Sequence, residues 1–204
     1  MSRTEDKQVN RVRLRLLDLL KSFFADTPDA ERMSRWRGIF AALCESRIQP
    51  EIDEGVRQLQ HLLEEQNLEE LKEEFYTLFV DPYNEQSVEL NASHYLDGKN
   101  FGPSLVRYRQ LLKDAGLVKE SDVTEPEDHL VLMLDALATL IEEDTESGEV
   151  KEQQATLITT FLQPMARAMK QQLTDNPQAD FYLSCTLFLN GYLELEQGLL
   201  EIQI

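Results

Sequence analysis

Three histidines, His61, His94 and His129, are the residues of this sequence best suited to bind a metal ion or to transfer a proton near neutral pH. A metal site needs several ligands at fixed spacing, and Glu125 and His129, four residues apart, could share one helix face. A di-metal carboxylate bundle would need two Glu-x-x-His motifs, and the sequence has none. We therefore expect no metal and no other cofactor.

Motifs typical of enzymes are also missing from the sequence. Its eight glycines are scattered, and neither the Gly-x-x-x-x-Gly-Lys nor the Gly-x-Gly-x-x-Gly pattern occurs. There is no nucleophile-elbow motif. A nucleophile and a base brought together only by folding stay possible, but the sequence predicts a protein that is not an enzyme.

The most distinctive stretch reads Glu-Pro-Glu-Asp-His at residues 125–129. Thr124 and Glu127 have the spacing of a capping box, with Pro126 in the first turn, which predicts a helix starting here. Capping also accounts for Asp128, because a helix dipole favours an acid in the first turn. It does not account for His129, so a hydrogen-bonding contact with a partner is the competing interpretation.

Helices must position these residues, because apolar residues recur at helical spacing almost throughout and no strand-like alternation persists. The sequence predicts an all-α fold, an irregular multi-helix bundle of about eight or more helices. We expect residues 1–204 to form a single helical domain. Cys44 and Cys185, too few for a disulfide framework, are both expected to be buried because their neighbours are apolar.

Residues 81–102 interrupt the helical pattern. Asp81-Pro82 ends a helix, and the stretch that follows predicts a long irregular loop or hinge. Aromatic residues flank it: Phe79 suits a core, whereas Tyr83 and Tyr95 are better placed to line a groove for an apolar peptide.

The net charge is strongly negative, with 20 basic and 38 acidic residues giving −18. Such a surface repels phosphate backbones and anionic lipid, which argues against nucleic acid and membrane surfaces as partners and favours a basic partner. The sequence has no secretory leader pattern and no apolar run of about 18 residues. We therefore expect a cytoplasmic protein with no stable membrane insertion.

At residues 125–129 the sequence resembles the TorD/DmsD/NarJ family of redox-enzyme maturation chaperones, whose hallmark is a Glu-Pro-x-Asp-His element opening a helix. Further landmarks follow the family's order from about residue 70 to the C-terminus. They are Tyr76-x-Leu78-Phe79, Tyr108 with Ala115-Gly116-Leu117, Phe161-Leu162-x-Pro164-Met165, and Phe181-Tyr182. Residues 90–95 keep the family's Ser93 and Tyr95 but lack its usual Pro and Glu.

The resemblance implies a cytoplasmic, non-catalytic chaperone. It would bind the twin-arginine signal peptide of a molybdoenzyme precursor and assist cofactor insertion before export. Among the residues, Asp128 and His129 would be the main signal-peptide contacts, and Glu125 and Pro126 would shape the helix start. The apolar groove would be lined by Tyr76 and Phe79.

Two other functions stay open at this point. One is a helical adaptor for another basic or amphipathic partner, and the other is a nucleotide-binding enzyme, which the lack of a phosphate loop disfavours. The sequence does not identify the client molybdoenzyme. A monomer is the default expectation, and the long loop also allows a domain-swapped dimer.

Overall fold

The structure is a computed structural model that describes residues 3–45, 48–143 and 148–202. Within those ranges there are nine continuous helices and no β-strand, and helices account for 74% of the residues. The prediction of an all-α fold with about eight or more helices is confirmed. No helix in these ranges combines the length and apolar character needed to cross a membrane.

The helices follow one another closely along the chain. They are α1 (Arg3–Phe24), α2 (Ala30–Leu43), α3 (Pro50–Glu65), α4 (Leu68–Phe75), α5 (Ala92–Asp97), α6 (Pro103–Asp114), α7 (Leu130–Glu142), α8 (Gly148–Thr156), α9 (Gln163–Thr174) and α10 (Phe181–Ile202). A π-helical segment, Tyr76–Val80, extends α4, and another, Leu157–Leu162, joins α8 to α9 into one helix. Such π segments are frequent at functional sites.

The chain forms two compact units, which are described separately below. Unit 1 comprises residues 1–21, 90–165 and 195–204, and unit 2 comprises residues 22–89 and 166–194. Helix α5 lies inside residues 81–102, so the stretch expected to be irregular contains one short helix. A single domain over the whole chain and a hinge in this stretch remain predictions.

The core of unit 1 is mainly aliphatic. Helix α7 supplies much of it, because apolar residues occupy most of its positions. Tyr108 of α6 packs against Phe161, with ring centroids 5.2 Å apart. The buried residues that α7 contributes are Leu130, Met133, Leu134, Ala136, Leu137, Leu140 and Ile141.

A buried ion pair joins α1 to α10 within unit 1. The Arg13 guanidinium donates through Nη2 to Glu196 Oε2 at 2.6 Å and through Nε to Oε1 at 3.0 Å. Arg13 Nη2 also donates to Gln154 of α8, whose own amide donates to the carbonyl of Leu140 in α7. The Arg13 and Glu196 side chains are 6% and 0% exposed, so each charge depends on the other for compensation.

Unit 2 has an aromatic core, which centres on Phe23, Trp36, Phe75, Phe181 and Tyr182. The Phe23 and Trp36 rings lie 5.1 Å apart, and Phe75 lies 5.7 Å from Tyr182. These large rings bury extensive apolar area and pair in tilted, edge-on and stacked arrangements.

The N-terminus of α10 is capped by a residue far away in sequence. Glu74 of α4 accepts hydrogen bonds from the backbone N–H groups of Asp180, Phe181 and Tyr182, at 2.9, 3.2 and 2.9 Å. Burial raises the pKa of Glu74, although these three donors act in the opposite direction. The carboxylate thus satisfies donors that the first turn of a helix leaves unpaired.

The two cysteines differ in environment. Cys185 is buried in α10, as expected, but the expectation for Cys44 is wrong because that residue is exposed. Cys44 follows the last residue of α2 and lies at the C-cap, beyond the apolar face of the helix.

The buried pair makes unit 1 sensitive to loss of one charge. We expect Arg13→Met to lower the free energy of unfolding by about 3–5 kcal/mol, because Glu196 would remain buried without its partner. Urea denaturation followed by circular dichroism measures this. The double variant Arg13→Met/Glu196→Met should recover part of the loss, since no unpaired charge is left.

The matched control is Arg57→Met, which breaks the exposed Arg57–Glu54 pair, whose side chains are 62% and 56% exposed. It should leave the stability nearly unchanged because solvent-exposed pairs contribute little. Equal losses in Arg13→Met and Arg57→Met would contradict the assigned role of the buried pair.

Candidate functional site

The Glu-Pro-Glu-Asp-His element precedes α7 and does not form its first turn. The helix begins at Leu130, and His129 is its N-cap, with Nδ1 accepting from the Val131 N–H at 3.3 Å. The predicted capping box of Thr124 and Glu127 is therefore wrong. His129 lies where a neutral ring with an acceptor nitrogen is favourable, which removes the difficulty of a positive charge at a helix start.

Backbone pairing with a distant segment determines this helix start. The Ala92 N–H donates to the carbonyl of Asp128 at 2.9 Å, and the Leu130 N–H donates to the carbonyl of Leu90 at 2.7 Å. Asn91 and His129 form an isolated antiparallel bridge between these bonds. The extended backbone needed for this pairing is incompatible with a helix that starts earlier.

Asp128 is a buried cap for α5. Asp128 is only 1% exposed, and its Oδ2 accepts a hydrogen bond from the Ser93 N–H at 2.7 Å. A carboxylate in this position compensates the positive end of α5 and satisfies a donor that the helix leaves unpaired. The second oxygen, Oδ1, has no hydrogen-bond partner among the described residues.

Helices α5 and α6 are joined by a second cap of the same kind. Asp97 Oδ2 accepts from the backbone N–H of Ser104 at 2.9 Å and also from its hydroxyl. Gly102 is required between them because a Cβ at that position would overlap the Asp97 carboxylate. Tyr95, a predicted contact, lies on α5, half buried, with its ring 4.9 Å from that of His94.

A cleft of about 510 Å³ lies in unit 1 between α6, α7 and the connection over residues 115–129. Its volume falls within the range of ligand pockets. Apolar side chains line much of it, and charged side chains stand among them. The apolar lining comprises Leu112, Leu117, Val118, Val123, Leu132, Ala136 and Ala138, and the charged lining comprises Lys21, Lys119, Glu120, Glu127, Asp135 and Glu142.

Two carboxylates of the cleft are held by cations of the same chain. Glu127, of the Glu-Pro-Glu-Asp-His element, accepts from Arg109 Nη2 at 2.7 Å, and Asp135 pairs with Lys21 at 2.5 Å. The hydrogen bond from Arg109 lowers the pKa of Glu127. By contrast, Glu120 and Glu142 are exposed and form no ion pair with any described residue.

Tyr108 extends into the cleft wall from the core. Burial raises the pKa of its hydroxyl, and the charges of Asp128, Glu127 and Asp135 raise it further. The hydroxyl has no hydrogen-bond partner among the described residues. A buried hydroxyl left unpaired costs folding free energy.

The other residues of the element serve different purposes. Pro126 accepts through its carbonyl from the His129 N–H at 3.0 Å, which closes a turn. Glu125 is exposed, and a hydrogen bond from its own backbone N–H lowers the pKa of its carboxyl group. Its backbone carbonyl accepts a hydrogen bond from Lys119 Nζ at 2.7 Å. The structure thus brings Glu125, Pro126, Asp128 and His129 into one turn, next to the helix that bears Tyr95.

Tyr76 and Phe79 belong to unit 2, in the π-helical segment that extends α4. Tyr76 is 52% exposed, so its ring is accessible. Phe79 packs in the aromatic core, 5.0 Å from Tyr182 and 5.3 Å from Phe75.

The acidic and histidine side chains do not gather into a metal site in the described part of the chain: no three of His, Cys, Asp or Glu lie close enough together. The sequence did not reveal Lys21, Asp135 or Tyr108 as cleft residues, nor Arg109 as the ion-pair partner of Glu127. No local motif marks Lys21, Arg109 or Asp135, because their proximity arises from the packing of α1, α6 and α7.

Comparison with known proteins identifies the class of this helical protein as redox-enzyme maturation chaperones. The profile of the nitrate reductase delta subunit family matches residues 46–172. The chain belongs to this family, which includes the TorD and DmsD chaperones. The resemblance seen in the sequence is confirmed, and the names of the family and its relatives indicate a chaperone rather than an enzyme.

Individual relatives agree with this assignment. The chain is 26% identical to the chaperone protein TorD of Vibrio vulnificus strain YJ016, over 96% of this chain and 98% of that protein. It is 32% identical to the chaperone protein TorD of Ferrimonas balearica, over 45% and 41% of the two chains. A crystal structure from Archaeoglobus fulgidus, described as a redox enzyme maturation protein, has the same fold: its TM-score is 0.56 at 18% identity, covering 89% and 93% of the two chains.

The cap formed by Asp128 gives a direct stability prediction. We expect Asp128→Ala to lower the free energy of unfolding by about 1–3 kcal/mol, because the N–H of Ser93, which is 0% exposed, loses its acceptor. Asp128→Asn keeps an acceptor oxygen of the same shape and should lose less. Chemical denaturation of both variants measures the difference, and wild-type stability in Asp128→Ala would refute the cap.

Proposed function

We propose that this chaperone binds the twin-arginine signal peptide of a molybdoenzyme precursor in the cytoplasm and keeps the precursor from export until its cofactor is inserted. Membership of the family supports a maturation chaperone that binds a redox-enzyme precursor. The observation that supports the leader as the bound segment is the cleft of unit 1, which the Glu-Pro-Glu-Asp-His element borders.

The chemistry of the cleft is complementary to such a leader. A twin-arginine leader has a basic start followed by an apolar stretch, and the cleft combines apolar side chains with carboxylates. Glu120 and Glu142 are the carboxylates without an ion-pair partner in the described residues, so they meet an arginine without first losing an interaction. A net charge of −18 also attracts a cationic segment over longer distances.

The element would act in two ways. Asp128 holds the turn against α5 through Oδ2, and its negative charge would attract an arginine of the leader. Nδ1 of His129 accepts the N-cap hydrogen bond, and the ring would hydrogen-bond the backbone of the peptide. Glu125, Pro126 and Tyr95 would border this contact.

For unit 2 the proposal is limited to the exposed ring of Tyr76 as an apolar contact. Phe79, half buried and packed against Tyr182, would border that contact. A monomer and a domain-swapped dimer remain the two proposed states of the protein.

The first test is equilibrium binding of a leader peptide by calorimetry. The wild type should bind a peptide with paired arginines before an apolar run, and should bind the same peptide with paired lysines more weakly, because guanidinium groups match carboxylates in shape. The double variant Glu120→Gln/Glu142→Gln should weaken binding by roughly three- to thirty-fold, the sum of two partly exposed charge pairs.

The matched control is Glu31→Gln/Glu152→Gln, which removes two exposed acids outside the cleft lining and changes the net charge equally. It should retain most of the wild-type affinity. Equal binding of the arginine and lysine peptides, or equal losses in the two double variants, would favour the adaptor function. Copurification of a leader-bearing molybdoenzyme precursor with the tagged protein would identify the client.

A further inference from the structure

We propose that the arginines of the leader displace Arg109 from Glu127 and Lys21 from Asp135, and so break two ion pairs of the chain at the cleft. This inference rests on the proposed function and adds how the same site is regulated. Before binding, the protein's own cations cover two of the carboxylates that recognise the leader. On binding, each carboxylate exchanges an intrachain cation for an arginine.

The positions of the two pairs support the exchange. Glu127, Asp135 and Lys21 all line the cleft, so the bonds lie where the leader would bind. Each pair spans two elements: Arg109 of α6 reaches the 115–129 connection, and Lys21 of α1 reaches α7. Both pairs therefore lie across parts of unit 1 that border the cleft, and opening them frees carboxylates without unfolding a helix.

Exposure distinguishes these pairs from a structural ion pair. The Arg109 and Glu127 side chains are 52% and 20% exposed, and those of Lys21 and Asp135 are 23% and 50% exposed. Water can therefore solvate the released cation, and pairs of this kind contribute little net stability. The Arg13–Glu196 pair, 6% and 0% exposed, could not exchange, because a released charge would stay buried.

Glu127 is already arranged for a guanidinium ligand. The hydrogen bond from Arg109 is the main influence that lowers the pKa of Glu127, and the charge of Lys119 lowers it further, so the group is ionised at neutral pH. The contact between Arg109 Nη2 and Glu127 Oε2, at 2.7 Å, has the length of a charge-assisted hydrogen bond. A leader arginine presents the same group to the same oxygen.

The exchange predicts that removing a positive charge from the chain strengthens leader binding. Arg109→Gln and Lys21→Gln should each tighten binding of the paired-arginine peptide by about two- to five-fold, because a competing cation is gone. The gain from Arg109→Gln should vanish in Arg109→Gln/Glu127→Gln, since the carboxylate that the arginine would use is no longer charged.

The control for net charge is Lys113→Gln, which removes an exposed cation from the same helix α6 outside the cleft lining. Circular dichroism and thermal unfolding verify that each variant is folded. Tightening in Arg109→Gln and Lys21→Gln beyond that in Lys113→Gln supports the exchange.

Other outcomes separate the two proposals. If the wild type binds the paired-arginine peptide in preference to the paired-lysine peptide, but Arg109→Gln and Lys21→Gln tighten no more than Lys113→Gln, the exchange is refuted and the proposed function stands. If neither the wild type nor the variants bind the paired-arginine peptide, the proposed function fails and the exchange fails with it.

Discussion

The architecture of the candidate site depends on the hydrogen bond that the buried carboxylate of Asp128 accepts from Ser93. A charge inside a protein must be compensated, and here the compensation comes from the N–H of Ser93 at the start of α5. With the backbone bonds between residues 90–92 and 128–130, this contact fastens the Glu-Pro-Glu-Asp-His element to a distant segment. The turn is thereby held so that Glu127 faces the cleft while His129 caps α7.

The sequence predicted the parts of this arrangement that follow from local rules. Periodicity located most helices, because an amphipathic helix repeats its apolar residues whatever it packs against. The same rules failed at Thr124, where a capping box is locally plausible but His129 is held extended by its bridge to Asn91, almost forty positions away. Helix α5 was missed for a related reason: its cap is Asp128, which no window around residues 92–97 contains.

Interactions between residues far apart in sequence also determine which carboxylates in each unit already have a partner. Glu74 caps α10 in unit 2 from α4, and in unit 1 Arg109 and Lys21 neutralise Glu127 and Asp135. Composition reveals the excess of acids but not which of them are free. In unit 1 the buried Arg13–Glu196 pair stabilises the fold, whereas the exposed pairs at the cleft are weak enough to open.

Hydrogen–deuterium exchange of the full chain, with and without a paired-arginine leader peptide, tests the central claim most directly. The account predicts slower exchange in residues 115–132 when this peptide is bound, and a smaller effect with the paired-lysine peptide. Saturation with the leader peptide without any change in residues 115–132 would contradict the assignment of this cleft as the leader site.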